Sequence, residues 1–497
     1  MWLAHVFIAL SVSSVALSLD RVRLDESGNF VDSKGNVLLF RGFNAVKKSP
    51  PWYPVEMLNT TQLKLFQNWG LNAVRLGVMW SGVMPEKNKI DEDYMRNIEK
   101  IIDACADHGI YVLLDMHQDE ISSRYGSYDG FPLWFVDEVC RTPESVKYPW
   151  PFEKRPFNEF ENYFTYACAD CATKFYTNES NAWEYWTQFW VTVAKRFAEK
   201  TNVLGYELLN EPPPPNFYQS LLSVIPGIAG RSYLLPVYDY VVEQIRKVDK
   251  ETLIFYEPVT YGVFLPELGY NTGTGFDRVP NALKDPDASK TSVLSYHYYC
   301  WPIQTGDSSR NMSIGLRAFC DGFLLPMVLF NSEQAIKKTG GGRFLTEFGV
   351  CIPDGNPSSI NTIECDVVLM VADTAFQSWT YWDGNFLDQD GNPVPEQTKL
   401  FVRTYPKETL GTPMDMKFVP STGQFTYSFV YQGRTSSSDV QVALIHVPRS
   451  VHYPGDVEVQ LNPGLVKHEL NGNELRLIVP SEMASRNLFI TVRIAPK

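Results

Sequence analysis

Eight short apolar segments recur between residues 36 and 385, and this alternation limits the fold more than any other feature of the chain. They read VLLFRGFN, NAVRLGV, IYVLLDMH, VLGYELLNE, LIFYEP, VLSYHYY, RFLTEFGV and FQSWTYWDG. Helical stretches lie between several of them, such as 92-EDYMRNIEKIIDACADHG-109 and 183-WEYWTQFWVTVAKRFAEK-200. Strands that alternate with helices pair in parallel, and strands buried on both faces are apolar almost throughout. Eight such units predict an α/β fold, a closed (β/α)8 TIM barrel. A doubly wound open sheet is the alternative, but no glycine-rich phosphate turn follows the first strand.

The last hundred residues follow another pattern. Segments FTYSFVY, DVQVALIHV, DVEVQL, ELRLIV and NLFITVRI are separated by Pro, Gly and Asn, as expected for short antiparallel strands. The expected organisation is a barrel over residues 19–400 and a C-terminal antiparallel β-sandwich over 401–497.

The chain opens 1-MWLAHVFIALSVSSVALSLD-20, an apolar run ending in small residues and too short to span a bilayer. Residues 1–18 are therefore expected to be a signal peptide, and the protein to be secreted or to reach a lysosomal or digestive lumen. No later stretch reads as long and apolar enough to span a bilayer. In an oxidising compartment, eight cysteines predict disulfides. Cys300 with Cys320 and Cys351 with Cys365 are spaced to staple local loops, Cys105 reads as a buried thiol, and the pairing stays open. The single pair Cys168-Ala-Asp-Cys171 has no second partner pair, which argues against zinc; no metal or cofactor is expected. Sequons at Asn59, Asn178 and Asn311 fit a secreted glycoprotein. A formal net charge of −13 offers no basic footprint to nucleic acid or to an anionic membrane.

In a barrel the chemistry sits at the C-terminal ends of the strands. Those ends carry Asn44, Arg75, His117 with Asp119, Asn210 with Glu211, Glu257, His297 with Tyr299, Glu347, and Trp382 with Asp383. The fourth stands out: 203-VLGYELLNEPPPP-215 stops a strand with four prolines and leaves an amide and a carboxylate at its tip. Two carboxyls facing each other across a cleft are the equipment of a glycosidase. Glu211 reads as the acid/base, with Asn210 beside it for a sugar hydroxyl. Glu347, in 344-FLTEFGV-350, reads as the nucleophile, with Arg75 keeping it ionised and Tyr299 donating to it. Glu257 reads as a rim or core-edge residue, Glu207 as a pair formed inside the barrel, and Asp115 as too deep. Trp382 reads as a stacking platform for a sugar ring or else as a cap on the barrel.

The motifs RGFN, NAVRLGV, DMHQD, LLNEP, SYHYY, TEFG and YWDG, in this order over roughly residues 36–390, resemble glycoside hydrolase family 5. RGFNAVKKSPPWYP, DMHQDEISSRYG, VLGYELLNEP and the trailing β-domain are similar to its endoglycoceramidase branch. The resemblance implies a retaining endoglycosidase that frees intact oligosaccharide from ceramide in glycosphingolipids, with water as second substrate. It implies Glu211 as acid/base, Glu347 as nucleophile, and Lys47, His117, Asp119, Asn210, Tyr299 and Trp382 around the glucose next to ceramide. The segments 217-FYQSLLSVIPGIAGRSYLLP-236 and 318-AFCDGFLLPMVLF-330 are apolar enough to meet ceramide chains or a membrane surface, or else simply begin core helices. The aromatic insertion over residues 131–157 suits a cleft wall. A β-1,4-glucanase or mannanase, and a glycolipid-binding protein without catalysis, are the competing readings.

Overall fold

The computed structural model describes residues 19–497 except 127–129, 157–158, 270, 304–306 and 385. The expected leader, residues 1–18, lies outside the described residues.

The eight apolar segments form a closed parallel barrel: β1 (Arg41–Ala45), β2 (Ala73–Gly77), β3 (Tyr111–Asp115), β4 (Val203–Glu207), β5 (Leu253–Tyr256), β6 (Ser292–Tyr298), β7 (Gly342–Phe348) and β8 (Trp379–Tyr381). Every residue of β1 to β6 and β8 is buried, since side chains face either the barrel interior or the surrounding helices. The helix Glu92–Asp107 shows how the outer layer forms. Asp91 caps it by accepting from the Tyr94 N–H, acidic Glu92 and Asp93 occupy its first turn, and Tyr94, Met95, Ile98, Ile101, Ile102 and Cys105 make its buried face.

The first apolar segment divides. Val37–Leu38 leaves the barrel and pairs with Tyr405–Thr409 of the C-terminal region, while Arg41–Ala45 joins the barrel. The strands Arg23–Leu24, Phe30–Val31 and Val37–Leu38 thus complete a seven-stranded sheet with Tyr405–Thr409, Val440–His446, Glu474–Val479 and Lys467–Asn471. A four-stranded sheet of Thr412–Val419, Gln424–Tyr431, Leu488–Pro496 and Val457–Asn462 faces it, with a shared core that includes Tyr427, Phe429, Ile445 and Leu477. The sandwich is therefore built from both ends of the chain.

The N-terminal strands also close the barrel floor. Phe30 lies with its ring centroid 5.4 Å from Phe40 and 5.9 Å from Phe344, and stacks on Phe255. The two domains are joined by a buried bridge in which Asp373 accepts from Arg41 Nη2 at 2.9 Å and from Arg403 Nε at 3.0 Å. One carboxylate between two guanidiniums satisfies charges that would otherwise be stranded away from water.

Disulfides join Cys140 to Cys171, Cys300 to Cys320 and Cys351 to Cys365; Cys105 and Cys168 are buried free thiols. Two loop staples form as spaced, and Cys171 bonds outward across the insertion instead of to Cys168. Three disulfides fit an oxidising compartment. All three sequon asparagines are exposed. Contrary to the sequence reading, one helix, Ile314–Thr339, is long and apolar enough to cross a membrane by length and composition. It belongs to the barrel wall, because Leu325, Val328, Leu329 and Ala335 are buried against the core.

Phe30→Ala should open a void under the barrel and lower stability by about 3–5 kcal/mol, read as a lower denaturant midpoint. An unchanged midpoint would mean that Phe30 does not plug the floor.

Candidate active site

Arg75 on β2 is fully buried and is the hub of the strand ends. Its Nε donates to Glu207, its Nη1 to Asn44 Oδ1 at 3.0 Å and to Glu347 Oε1 at 2.5 Å, and its Nη2 to Asn210 Oδ1 at 2.7 Å. Asp115 Oδ1 is 3.2 Å from the same Nη2. Four strands thus converge on the guanidinium that β2 carries. Glu207 forms its pair inside the barrel, as its depth suggested, and takes a second bond from Ser295 Oγ.

Glu347 projects from β7 beside a register shift between Leu345 and Glu347 in its pairing with β6. A bulge of this kind re-aims a side chain. The displaced Thr346 carbonyl is satisfied by Asn44 Nδ2 at 3.1 Å and Thr380 Oγ1 at 2.6 Å. Tyr299 Oη donates to Glu347 Oε2 at 2.7 Å. Burial alone would raise the Glu347 carboxyl, but His297, Arg75 and His117 nearby and the Tyr299 hydroxyl together hold it below its ordinary range. Glu347 is an anion by construction.

Glu211 follows the end of β4. Ladder pairing stops at Glu207, yet the Asn210 N–H still donates to the Met116 carbonyl at 3.1 Å before the prolines begin. Glu211 has a φ of +40°, a costly conformation for a residue with a side chain. Its carbonyl accepts from Gln118 Nε2 at 2.8 Å and its N–H donates to Glu257 Oε2 at 2.8 Å, so the conformation is fixed from both sides. Its carboxyl faces the cleft and is 23% exposed.

His297 on β6 joins the two glutamates. Its Nδ1 lies 2.8 Å from Glu211 Oε1 and 3.5 Å from Glu347 Oε2. Burial opposes its charge, but Glu257, Glu347 and Glu211 raise it to about 10, so the ring is an imidazolium at neutral pH. One carboxylate oxygen of Glu211, one of Glu347 and this nitrogen all lie within 4.8 Å of one another. Carboxyls about 5 Å apart suit a covalent double displacement, whereas single displacement by water needs about 6.5–9.5 Å.

A second group lies beside the pair. His117 Nδ1 is 2.7 Å from Asp115 and its Nε2 is 3.2 Å from Asp119, while its ring stacks on Trp382 at 5.3 Å. Lys48 Nζ is 2.5 Å from Asp119 Oδ2 and 4.6 Å from the centre of the Trp382 ring. Burial would raise Asp119, but His117 and Lys48 lower it to about 2. The expected Lys47 does not reach this group. It is exposed, and its neighbour Lys48 turns inward instead, since adjacent residues of an extended segment point to opposite sides.

Arg75, His117, Asp119, Asn210, Glu211, His297, Tyr299, Glu347 and Trp382 are thus brought to one end of the barrel. Two groups were not anticipated. Lys48 replaces Lys47, and Gln118 ties the Asn210 and Glu211 carbonyls. Glu257, read as a rim or core-edge residue, is 1% exposed and touches both Glu211 and His297.

The loops around this end are apolar and joined. In the insertion and the loop after β4, Trp150 lies 5.1 Å from Tyr218 and Phe164 lies 6.3 Å from Phe217. Leu221 and Leu222 are 77% and 63% exposed, whereas Leu234 and Leu235 of the same segment are buried. After β6, Ile314 and Phe323 are exposed in the same way while Leu324 and Leu325 are buried. Within 217–236 the exposed leucines precede buried helix, and within 318–330 the exposed Phe323 and Phe330 flank the buried Leu324, Leu325, Val328 and Leu329.

Residues 31–387 match the cellulase (glycosyl hydrolase family 5) family, and residues 403–494 the glycoside hydrolase family 5 C-terminal domain. The endoglycoceramidase of Cyanea nozakii is 29% identical over 92% of both chains. That of Hydra vulgaris is 28% identical over 98% of this chain and 94% of its own. Among solved structures, endo-glycoceramidase II from Rhodococcus sp. in its ganglioside GM3 complex superposes with a TM-score of 0.74 at 21% identity, covering 94% of this chain and 99% of that one. The sterylglucosidase 1 of Cryptococcus neoformans shares the fold, with a TM-score of 0.72 at 15% identity over 97% and 98% of the two chains. The match runs through the whole barrel, including both strands that carry the opposed glutamates, and resumes in the sandwich, so the chain belongs to glycoside hydrolase family 5.

Proposed function

We propose that this glycoside hydrolase is a retaining endoglycosidase that cuts the β-glycosidic bond between an intact oligosaccharide and ceramide. The observation that carries this reading is the approach of Glu211 and Glu347 within 4.8 Å beside exposed apolar loops. The endoglycoceramidase relatives and the Rhodococcus enzyme's ganglioside complex support the same substrate class.

The geometry supplies each step. Glu347 attacks the anomeric carbon of the glucose next to ceramide, and the bond to the ceramide oxygen breaks. A proton held by the Glu211–His297 pair passes from Glu211 to that oxygen, so ceramide leaves as an alcohol. Water then attacks the glycosyl-Glu347 ester, Glu211 takes its proton, and the sugar is released with its configuration retained. Arg75 and Tyr299 stabilise Glu347 as it departs as an anion. Lys48, His117, Asp119 and Asn210 offer hydrogen bonds to the sugar hydroxyls, and Trp382 a flat apolar face.

The exposed Leu221 and Leu222, with Tyr218 and the insertion's aromatics, form the surface on which the ceramide end is met in a bilayer. Residues 217–236 carry a single charged side chain, Arg231, so the contact is apolar and not electrostatic.

Three outcomes follow. Glu347→Gln should lower turnover of a ganglioside at least about 10³-fold while glycolipid binding persists; undiminished release of ceramide would mean that Glu347 is not the nucleophile. Tyr299→Phe removes a donor to the ionised carboxylate, which raises the Glu347 pKa. The acid limb of the kcat/KM–pH profile should then move to higher pH, and an unmoved limb would exclude this role. Leu221→Asp combined with Leu222→Asp should weaken flotation with neutral phosphatidylcholine vesicles and slow cleavage of ganglioside in them, yet leave a soluble aryl β-lactoside unaffected. Equal loss on both substrates would remove the membrane contact. A preference for soluble glucan over ganglioside in the wild-type chain would favour a glucanase.

A further inference from the structure

Glu257 has no part in the two-glutamate reaction, yet its geometry is that of a working residue. It stands just past β5, is 1% exposed, and makes two contacts toward the site. Its Oε2 accepts the Glu211 peptide N–H at 2.8 Å, and its Oε1 lies 3.8 Å from His297 Nδ1. Its own backbone carbonyl is held by Tyr238 Oη at 2.9 Å, from the helix Leu235–Ile245. The residue that it clamps is the one with a positive φ, and that backbone angle aims the Glu211 carboxyl across the cleft.

We propose that Glu257 is the positioning residue for the acid/base: its carboxyl oxygen fixes the strained Glu211 peptide beside the His297 ring that Glu211 contacts. This rests on the functional reading above. The groups facing Glu257 set its charge. Glu211 and Glu207 on the β4 side disfavour its ionisation, whereas His297 from β6 and Arg75 from β2 favour it. Burial is the largest influence and, with the two neighbouring glutamates, holds it well above the ordinary carboxyl range. A carboxyl oxygen accepts a peptide N–H in either charge state, and an amide oxygen does the same, so Gln keeps the contact and Leu does not.

The separating experiment uses two aryl β-lactosides, one with a dinitrophenol leaving group that needs no proton and one with an unactivated phenol that does. The quantity read is kcat/KM, which reports bond cleavage and not release of the ester. Glu257→Leu should lower kcat/KM for the phenyl lactoside about 10²-fold and for the dinitrophenyl lactoside less than about threefold, because only acid delivery is lost. Glu257→Gln should stay within about threefold of wild type on both, with an unchanged pH profile. Equal losses on the two substrates in Glu257→Leu would show a general structural defect and overturn the proposal. So would a loss in Glu257→Gln as deep as in Glu257→Leu, which would show that the accepting oxygen does not carry the role. A wild-type chain inert on both lactosides would overturn the functional reading and this proposal with it; an active wild type with either failed pattern overturns the proposal alone.

Discussion

The buried guanidinium of Arg75 is the interaction on which the site depends. It is fully removed from water and is acceptable there only because Asp115, Glu207 and Glu347 surround it and Asn44 and Asn210 complete its donors. Burial would weaken its charge, but Asp115, Glu207 and Glu347 strengthen it well beyond the ordinary arginine range. The barrel provides the enclosure: β1, β3, β4 with its tip, and β7 supply the acceptors around a donor carried by β2. In return the guanidinium fixes Glu347 as an anion and Asn210 one residue before Glu211. Fold and chemistry meet in one side chain, and a planar fork with five donors is what the position requires.

Around that hub the site separates charge by environment. Glu347 receives an arginine, an imidazolium and a phenol, and stays ionised. Glu211 looks into the cleft and shares its oxygen with His297. Glu257, enclosed beneath both, meets carboxylates and burial more than cations. Three carboxyls thus lie within reach of one histidine, each in a different environment. The second group joins the Lys48–Asp119–His117 polar cluster to the flat indole of Trp382.

Much of this was legible in the chain. Strands buried on both faces are apolar throughout, so the eight barrel segments and their polar tips stood out, and the prolines at 212–215 marked where β4 must end. What was hidden has physical reasons. The two-residue strands at Arg23–Leu24 and Phe30–Val31 are too short to show a period, so the sharing of the sandwich between both chain ends left no trace. Lys47 and Lys48 are adjacent, and only the path of the loop decides which turns inward. Glu257 in FYEP stood out as a strand-tip carboxyl, but its role did not, because its partners Glu211 and His297 come from neighbouring strands. The Cys140–Cys171 bond crosses the aromatic insertion, a closure that spacing alone does not select.

The account stands or falls on a covalent ester at Glu347. Incubation with a 2-deoxy-2-fluoro-β-lactosyl donor bearing a good leaving group, followed by intact-mass and peptide mapping, tests this most directly. The expected result is one added fluorolactosyl unit on the peptide containing Glu347, with Glu211 unmodified. An adduct on Glu211, or no adduct together with hydrolysis of an unfluorinated β-lactoside to the α-anomer, would contradict it.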